Sequence, residues 1–298
     1  MCGIIGLFLK DDKLNCNLGS MLSSMLNTMS DRGPDSSGLA IYNCRDIDKI
    51  KLTLRSENHQ EDFKEIRKGL LQKLKLKFSL REHFNHIVLT VNKKDVDKVE
   101  SFLKKSFSNL SLMSSGENIE IFKEVGLPKN LIQKFDINDM SGTHGIGHTR
   151  MATESAVTTL GAHPFSTGPD QCLVHNGSLS NHNQLRQKLI SEGMEINTEN
   201  DTEVAATYLS LQIKKGKTLE QSLELALSDL DGFYTFLVGT KDGFGVLRDP
   251  ISCKPAVMAE NDSYVAFGSE YRAFANLPDI NHAKIWEPEP ATIYFWNH

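Results

Sequence analysis

The chain has 298 residues, 39% of them hydrophobic and 24% charged, which suits one large domain or two small ones around a packed core and excludes disorder, collagen and simple coiled coil. Lys and Arg total 33 against 38 Asp and Glu, a formal net charge of -5, so no global basic field exists to attract a phosphate backbone and nucleic acid is not expected as a partner. No apolar run approaches the roughly 20 residues of a membrane helix, and no basic region precedes a hydrophobic one at the N-terminus; a soluble, cytoplasmic protein without membrane contact is expected.

Gly3 to Leu9 is a short apolar run with β-branched residues between turn formers, and reads as a buried strand. Leu18, Met21, Leu22, Met25, Leu26 and Met29 follow i, i+3, i+4 spacing and predict an amphipathic helix whose methionines are core filler. Arg32-Gly33-Pro34-Asp35-Ser36-Ser37-Gly38 breaks that helix, and Leu39 to Tyr42 resumes a strand. Residues 50-140 have a different, Lys-rich texture, with a strand at His86 to Val91 and a helix over Asp95 to Phe107. They read as an insertion, a subdomain or docking element, because about 90 structureless residues would be unusual inside a compact domain.

Beyond Gly142 two helix signals return, one from about Thr202 to Lys215 and one behind the capping box Thr218-Leu219-Glu220-Gln221. Strands follow at Phe233 to Val238, Phe244 to Leu247, Tyr264 to Phe267 and Thr292 to Trp296, with Asp-Gly turns at 231-232 and 242-243. Strands outnumber crossover helices, which argues for layered sheets with helices outside and against a doubly wound parallel sheet.

Cysteines stand at 2, 16, 44, 172 and 253, an odd count without a C-x-x-C pair, so neither a disulfide framework nor a zinc site is suggested. Cys2 differs by position: removal of Met1 would leave a thiol and a free α-amine on one residue. A thiol with reference pKa about 8.5 is only a few per cent ionised at neutral pH, and an α-amine of pKa about 7.7 to 8 could act as its base without a histidine. The glycines and histidines of 142-148 suggest neither a dinucleotide nor a metal site, since no helix follows the glycines and no third ligand is near.

The start Cys2-Gly3-Ile4-Ile5-Gly6, the Arg32 to Ser36 block, Gly147-His148-Thr149-Arg150-Met151-Ala152-Thr153, His175-Asn176-Gly177 and Asn200-Asp201-Thr202-Glu203 together resemble the class II glutamine amidotransferases, which are N-terminal-nucleophile hydrolases. The resemblance covers most of the chain outside residues 50-140. It implies an α+β, four-layer αββα sandwich over residues 1-298, with the insertion inside it. It also implies that Cys2 attacks the side-chain amide of glutamine, releasing ammonia and leaving a thioester that water opens to glutamate. Asn176 and the Gly177 N–H would then hold the oxyanion, Arg150 the α-carboxylate and Asp201 the α-ammonium group, with Thr153 and Arg32 also in the substrate site. Read from the residues alone, Asp201 is equally the N-cap of the helix at Thr202, and Arg32 equally an ion-pair partner of Asp35. Met151 and Glu154 depart from the family pattern, an aromatic residue followed by Ala-Thr-His.

The blocks around Arg248 to Val257 and Ala266 to Arg272 look closest to the stand-alone amidotransferase subunit of glutamate synthase-like and N-methylglutamate synthase complexes. A separate synthase subunit carrying flavin or iron-sulfur chemistry is implied, and with it a hetero-oligomer. This chain has no motif for either cofactor, and none is expected in it. The other readings are an independent hydrolase of γ-glutamyl amides and a slow-turnover regulatory or scaffold subunit.

Overall fold

The computed structural model describes residues 2-43, 46-152 and 156-298. In chain order the elements are β1 (Gly3–Leu9), α1 (Leu18–Thr28), β2 (Ser36–Tyr42), β3 (Lys49–Ser56), α2 (His59–Gln72), β4 (Phe78–His83), β5 (His86–Asn92), α3 (Val96–Ser106), β6 (Leu110–Gly116), β7 (Ile119–Val125) and α4 (Pro128–Lys134). They continue with β8 (His144–Arg150), β9 (Phe165–Gly168), β10 (Gln171–Leu179), α5 (His182–Ser191), α6 (Asp201–Lys214), α7 (Leu219–Asp229), β11 (Gly232–Thr240), β12 (Gly243–Arg248), β13 (Val257–Glu260), β14 (Tyr264–Gly268), β15 (Lys284–Trp286) and β16 (Thr292–Asn297).

Three antiparallel sheets result. Seven strands run in the order β15-β13-β14-β1-β8-β2-β7, five in the order β16-β12-β11-β10-β9, and four in the order β4-β5-β3-β6. Because side chains alternate across a strand, β1 feeds two cores at once. Ile5, Leu7 and Leu9 pack with Leu22, Met25, Leu26 and Met29 of the α1 segment, whereas Ile4 and Phe8 meet Val174, Leu237 and Val246 of the five-stranded sheet. The outer face of that second sheet is covered by Leu185, Leu189, Val204, Leu209 and Leu223 of α5 to α7. The layers therefore read helix, sheet, sheet, helix, the αββα order expected. The helix and strand periods account for it: the predicted methionine face of α1 is buried, and Thr218 and Gln221 form the reciprocal capping box at 3.1 Å each way.

Residues 49-116 build the third sheet by the path β3-α2-β4-β5-α3-β6, the ferredoxin-like split βαβ arrangement. Leu52, Leu54, Phe63, Leu89, Val99 and Leu103 give it a core of its own. Within the expected stretch 50-140, the later residues behave differently: β7 pairs with β2 from Ser36↔Val125 to Tyr42↔Ile119 and so belongs to the main sheet, and Leu131 and Ile132 of α4 share the α1 core. Among the described residues no helix is long and apolar enough to cross a membrane.

Candidate functional site

Cys2 directly precedes β1, a strand held on both sides, by β8 (Gly3↔Thr149) and by β14 (Ile5↔Gly268). Its backbone carbonyl accepts two hydrogen bonds, from Arg32 Nε at 3.0 Å and from Asn176 Nδ2 at 3.4 Å. Residue 2 is thus fixed by its backbone while its half-buried thiol lies 3.9 Å from the carbonyl oxygen of Met151. Burial pushes the Cys2 thiol up from its ordinary value, and the positive charges of Arg150 and Lys254 pull against that rise.

Arg32 occupies the 3-10 turn that follows α1 and is 9% exposed. Its partner is not Asp35: Nη1 bonds Glu270, while the Asp35 carboxylate accepts from the Ala152 N–H at 2.8 Å. Glu270 in turn bonds Arg272 Nε at 2.6 Å, and Arg272 reaches Asp31 at 2.7 Å. Gly33 lets this turn lie against β8, since a Cβ there would stand 2.4 Å from the Thr149 carbonyl carbon.

Arg150 ends β8, is buried, and donates from Nη1 to Ala156 O at 3.3 Å. Thr153, placed beside it in the sequence-based site, and Glu154 lie outside the described residues. Asn176 and Gly177 sit on β10 of the facing sheet. Gly177 has φ +147°, and a Cβ on it would stand 2.0 Å from Phe233 O, so only glycine turns the backbone this way beside β11.

Asp201 is the first residue of α6, and the cap is Asn200, whose side chain accepts from Thr202 N at 2.9 Å. That corrects the N-cap reading of Asp201. Freed from capping, the Asp201 carboxylate turns to β10: Oδ2 accepts from Leu179 N at 3.0 Å and Oδ1 lies 3.7 Å from His175 Nδ1.

Direct hydrogen bonds therefore join Cys2, Arg32 and Asn176, and backbone pairing or charge brings Arg150, Gly177 and Asp201 alongside. Chemically, this set offers one thiol at the edge of two sheets, amide donors on the facing strand, two guanidinium groups and one carboxylate. Sequence reasoning missed Glu270, which lies 238 residues from Arg32, and Lys254, whose ammonium lies over the Phe233 ring at 4.8 Å. Both fall in blocks that carried the family resemblance, but no spacing rule assigns either a role. Depressions of about 970 Å³ beside β9, α6 and α7, and of about 610 Å³ beside Lys123, include none of these residues.

Comparison with known proteins identifies the family. The family pattern described as a glutamine amidotransferase domain matches residues 148–276. Over 299 aligned residues the chain is 58% identical to the glutamine amidotransferase-like protein GlxB of Rhizobium meliloti, covering 100% of this chain and 99% of that one. A putative glutamine amidotransferase of Methanothermobacter thermautotrophicus is 31% identical across 99% of both chains. Among solved structures, the glutamine phosphoribosylpyrophosphate amidotransferase of B. subtilis, complexed with ADP and GMP, superposes with a TM-score of 0.64 at 21% identity, over 99% of this chain and 47% of that one. The likeness shows a shared fold, and this chain spans about half the length of that enzyme.

Proposed function

Since the chain belongs to the class II glutamine amidotransferase family, we propose that it hydrolyses the side-chain amide of glutamine through Cys2 and supplies the ammonia to a separate synthase subunit. The observation that carries this reading is the double hydrogen bond from Arg32 and Asn176 to the Cys2 carbonyl, which holds the backbone of residue 2 while the half-buried thiol stays beside the Met151 carbonyl. A thiol raised by burial needs a base. Removal of Met1 supplies one, the α-amine of Cys2 itself.

The steps then follow from the residues present. The amine takes the thiol proton, directly or through a water, and sulfur attacks the amide carbon of glutamine. Negative charge moves to the amide oxygen, where Asn176 Nδ2 and the Gly177 N–H are the donors. To reach that oxygen, Asn176 exchanges its long 3.4 Å bond to the Cys2 carbonyl for a shorter, charge-assisted one. Collapse of the tetrahedral species breaks the C–N bond, the proton passes from the amine to the leaving nitrogen, and ammonia departs. Water, deprotonated by the same amine, opens the thioester to glutamate and restores the thiol. Arg150 binds the α-carboxylate through its planar fork and Asp201 the α-ammonium group, while Arg32 keeps residue 2 in place; the family resemblance adds Thr153 to the substrate site.

Delivery to a partner rests on the resemblance of the Arg248 to Val257 and Ala266 to Arg272 blocks to a stand-alone amidotransferase subunit. Protein lacking Met1 is expected to convert glutamine to glutamate and ammonia, and Cys2→Ala to abolish this. A glutamine-like electrophile should add its mass at Cys2. Undiminished turnover in Cys2→Ala, or labelling at another residue, would sink the assignment. Co-purification from the native host tests the partner, and full unstimulated activity of a monomer would favour the independent hydrolase.

A further inference from the structure

We propose that Thr202 is a positioning residue that sets the oxyanion donors and the ammonium-binding carboxylate relative to each other through a buried histidine group, an inference that rests on Cys2 acting as the glutaminase nucleophile. Thr202 is 1% exposed. Its hydroxyl lies 2.6 Å from His163 Nε2, 3.0 Å from His175 Nδ1 and 3.5 Å from Asp201 Oδ1. The residue before Thr202 is Asp201, and the two after His175 are Asn176 and Gly177, so one oxygen links the starts of both halves of the glutamine pocket.

The group continues into the first sheet. His148 on β8 bonds the His175 carbonyl through Nε2 at 3.0 Å, and its ring stacks on His163 with centroids 3.9 Å apart. Since a carbonyl only accepts, His148 carries its proton on Nε2. Burial pushes His148 down to about 3 and His163 well below its ordinary value, so the rings are neutral at physiological pH and act as hydrogen-bonded spacers. The arrangement has little redundancy: His148 Nδ1, His163 Nδ1 and His175 Nε2 are buried with no hydrogen-bond partner among the described residues. A hydroxyl has one proton and two lone pairs, and it satisfies two imidazoles here. Without it, two more ring nitrogens lose their partner, and β10 and α6 lose a common anchor next to the reacting groups.

An ordinary core threonine would affect stability alone, whereas a positioning threonine changes turnover per intact site. The Met1-free full-length chain is assayed for ammonia release, with active sites counted by stoichiometric labelling of Cys2 with a glutamine-like electrophile. Thr202→Val, which keeps the shape and removes the hydroxyl, is expected to lower kcat per labelled site by about tenfold or more and to raise KM for glutamine. Thr202→Ser, which restores the hydroxyl, is expected to return both to within about threefold of wild type. Wild-type turnover in Thr202→Val overturns the proposal, as does a serine variant no better than valine. If the valine variant does not fold, His163→Leu against His163→Gln applies the same criterion, because Gln keeps a polar partner for the hydroxyl and Leu does not; equal turnover per site in the two overturns the proposal. Absence of glutamine turnover and of Cys2 labelling in the wild-type chain overturns the glutaminase reading itself, and this inference with it.

Discussion

The two-sheet sandwich and the inserted four-stranded unit are both antiparallel and both helix-covered, yet only the first contributes the residues proposed for chemistry. In the sandwich the sheets face each other, and β1 and β8 are buried at every position. A polar side chain there must find a partner across the gap. Across the gap near Cys2 these contacts are Asn176 Nδ2 on the Cys2 carbonyl and His148 Nε2 on the His175 carbonyl. The unit at 49-116 has one face on α2 and α3 and leans its other face on the body, where His86 lies edge-on to Phe135 at 4.7 Å and near Phe122. Its edge strand β4 is half exposed. None of Cys2, Arg32, Arg150, Asn176, Gly177 and Asp201 falls within it. Enclosure between two sheets supplies fixed donors to one point, whereas a unit with its own core supplies a surface.

The contrast predicts that changes in the sandwich act on turnover and changes in the insertion act on local stability. Asn176→Ala should lower kcat about 10² to 10³-fold, or about 2.7 to 4 kcal/mol of barrier, as loss of an oxyanion donor does. Steady-state ammonia release measures this, and an undiminished kcat would remove Asn176 from the oxyanion site. In the insertion, Leu89 is fully buried among Leu52, Ile66 and Leu103. Leu89→Ala should destabilise that unit by about 2 to 5 kcal/mol, seen as faster proteolysis within 49-116, while Cys2 labelling persists. Loss of labelling together with the insertion would make the two regions one cooperative unit and erase the distinction.

How much of this was legible in the sequence depended on range. The apolar run Gly3 to Leu9 and the 3.6-residue spacing of the α1 methionines are local signals, and both elements stand where expected. The capping box at Thr218 is likewise a four-residue signal. Periodicity says which face is buried but not what covers it, so β7 leaving the Lys-rich stretch to pair with β2 could not be read. The turn at 231-232 shows the same limit: Asp231-Gly232 joins α7 to β11, while Lys241 and Asp242 form the β11-β12 hairpin loop between the paired Thr240 and Gly243. Around the site, ordered blocks located Cys2, Arg32, Arg150, Asn176 and Asp201 through family resemblance. The partner of Arg32 was missed because an ion pair over 238 residues leaves no local mark.

The smallest predicted effect separates two histidines of one strand. His144 and His148 both lie on β8, and burial pushes each down to about 3. His144 sits at the end of β8 away from Arg150, stacked on Tyr42 at 4.2 Å, with Nε2 donating to Thr240 O at 2.7 Å and Nδ1 2.9 Å from Thr143 Oγ1. Below the free imidazole value of about 6.5 the unfolded chain takes up a proton that the folded chain refuses until about pH 3. The unfolded state then binds more protons, so stability rises with pH in this window and falls on acidification, approaching about 1.4 kcal/mol per pH unit for each such histidine. His144→Phe keeps a ring against Tyr42 and removes the titrating group. Its stability, measured by urea unfolding between about pH 6 and 5, should depend on pH less steeply than wild type by about 1 kcal/mol per unit, while turnover per labelled Cys2 is retained. If the slope is unchanged, His144 is not a titrating group in this window. If turnover per site falls as it does on loss of the Thr202 hydroxyl, the histidines of β8 act as one connected group, and enclosure between the sheets, rather than distance from Cys2, decides which side chains affect the chemistry.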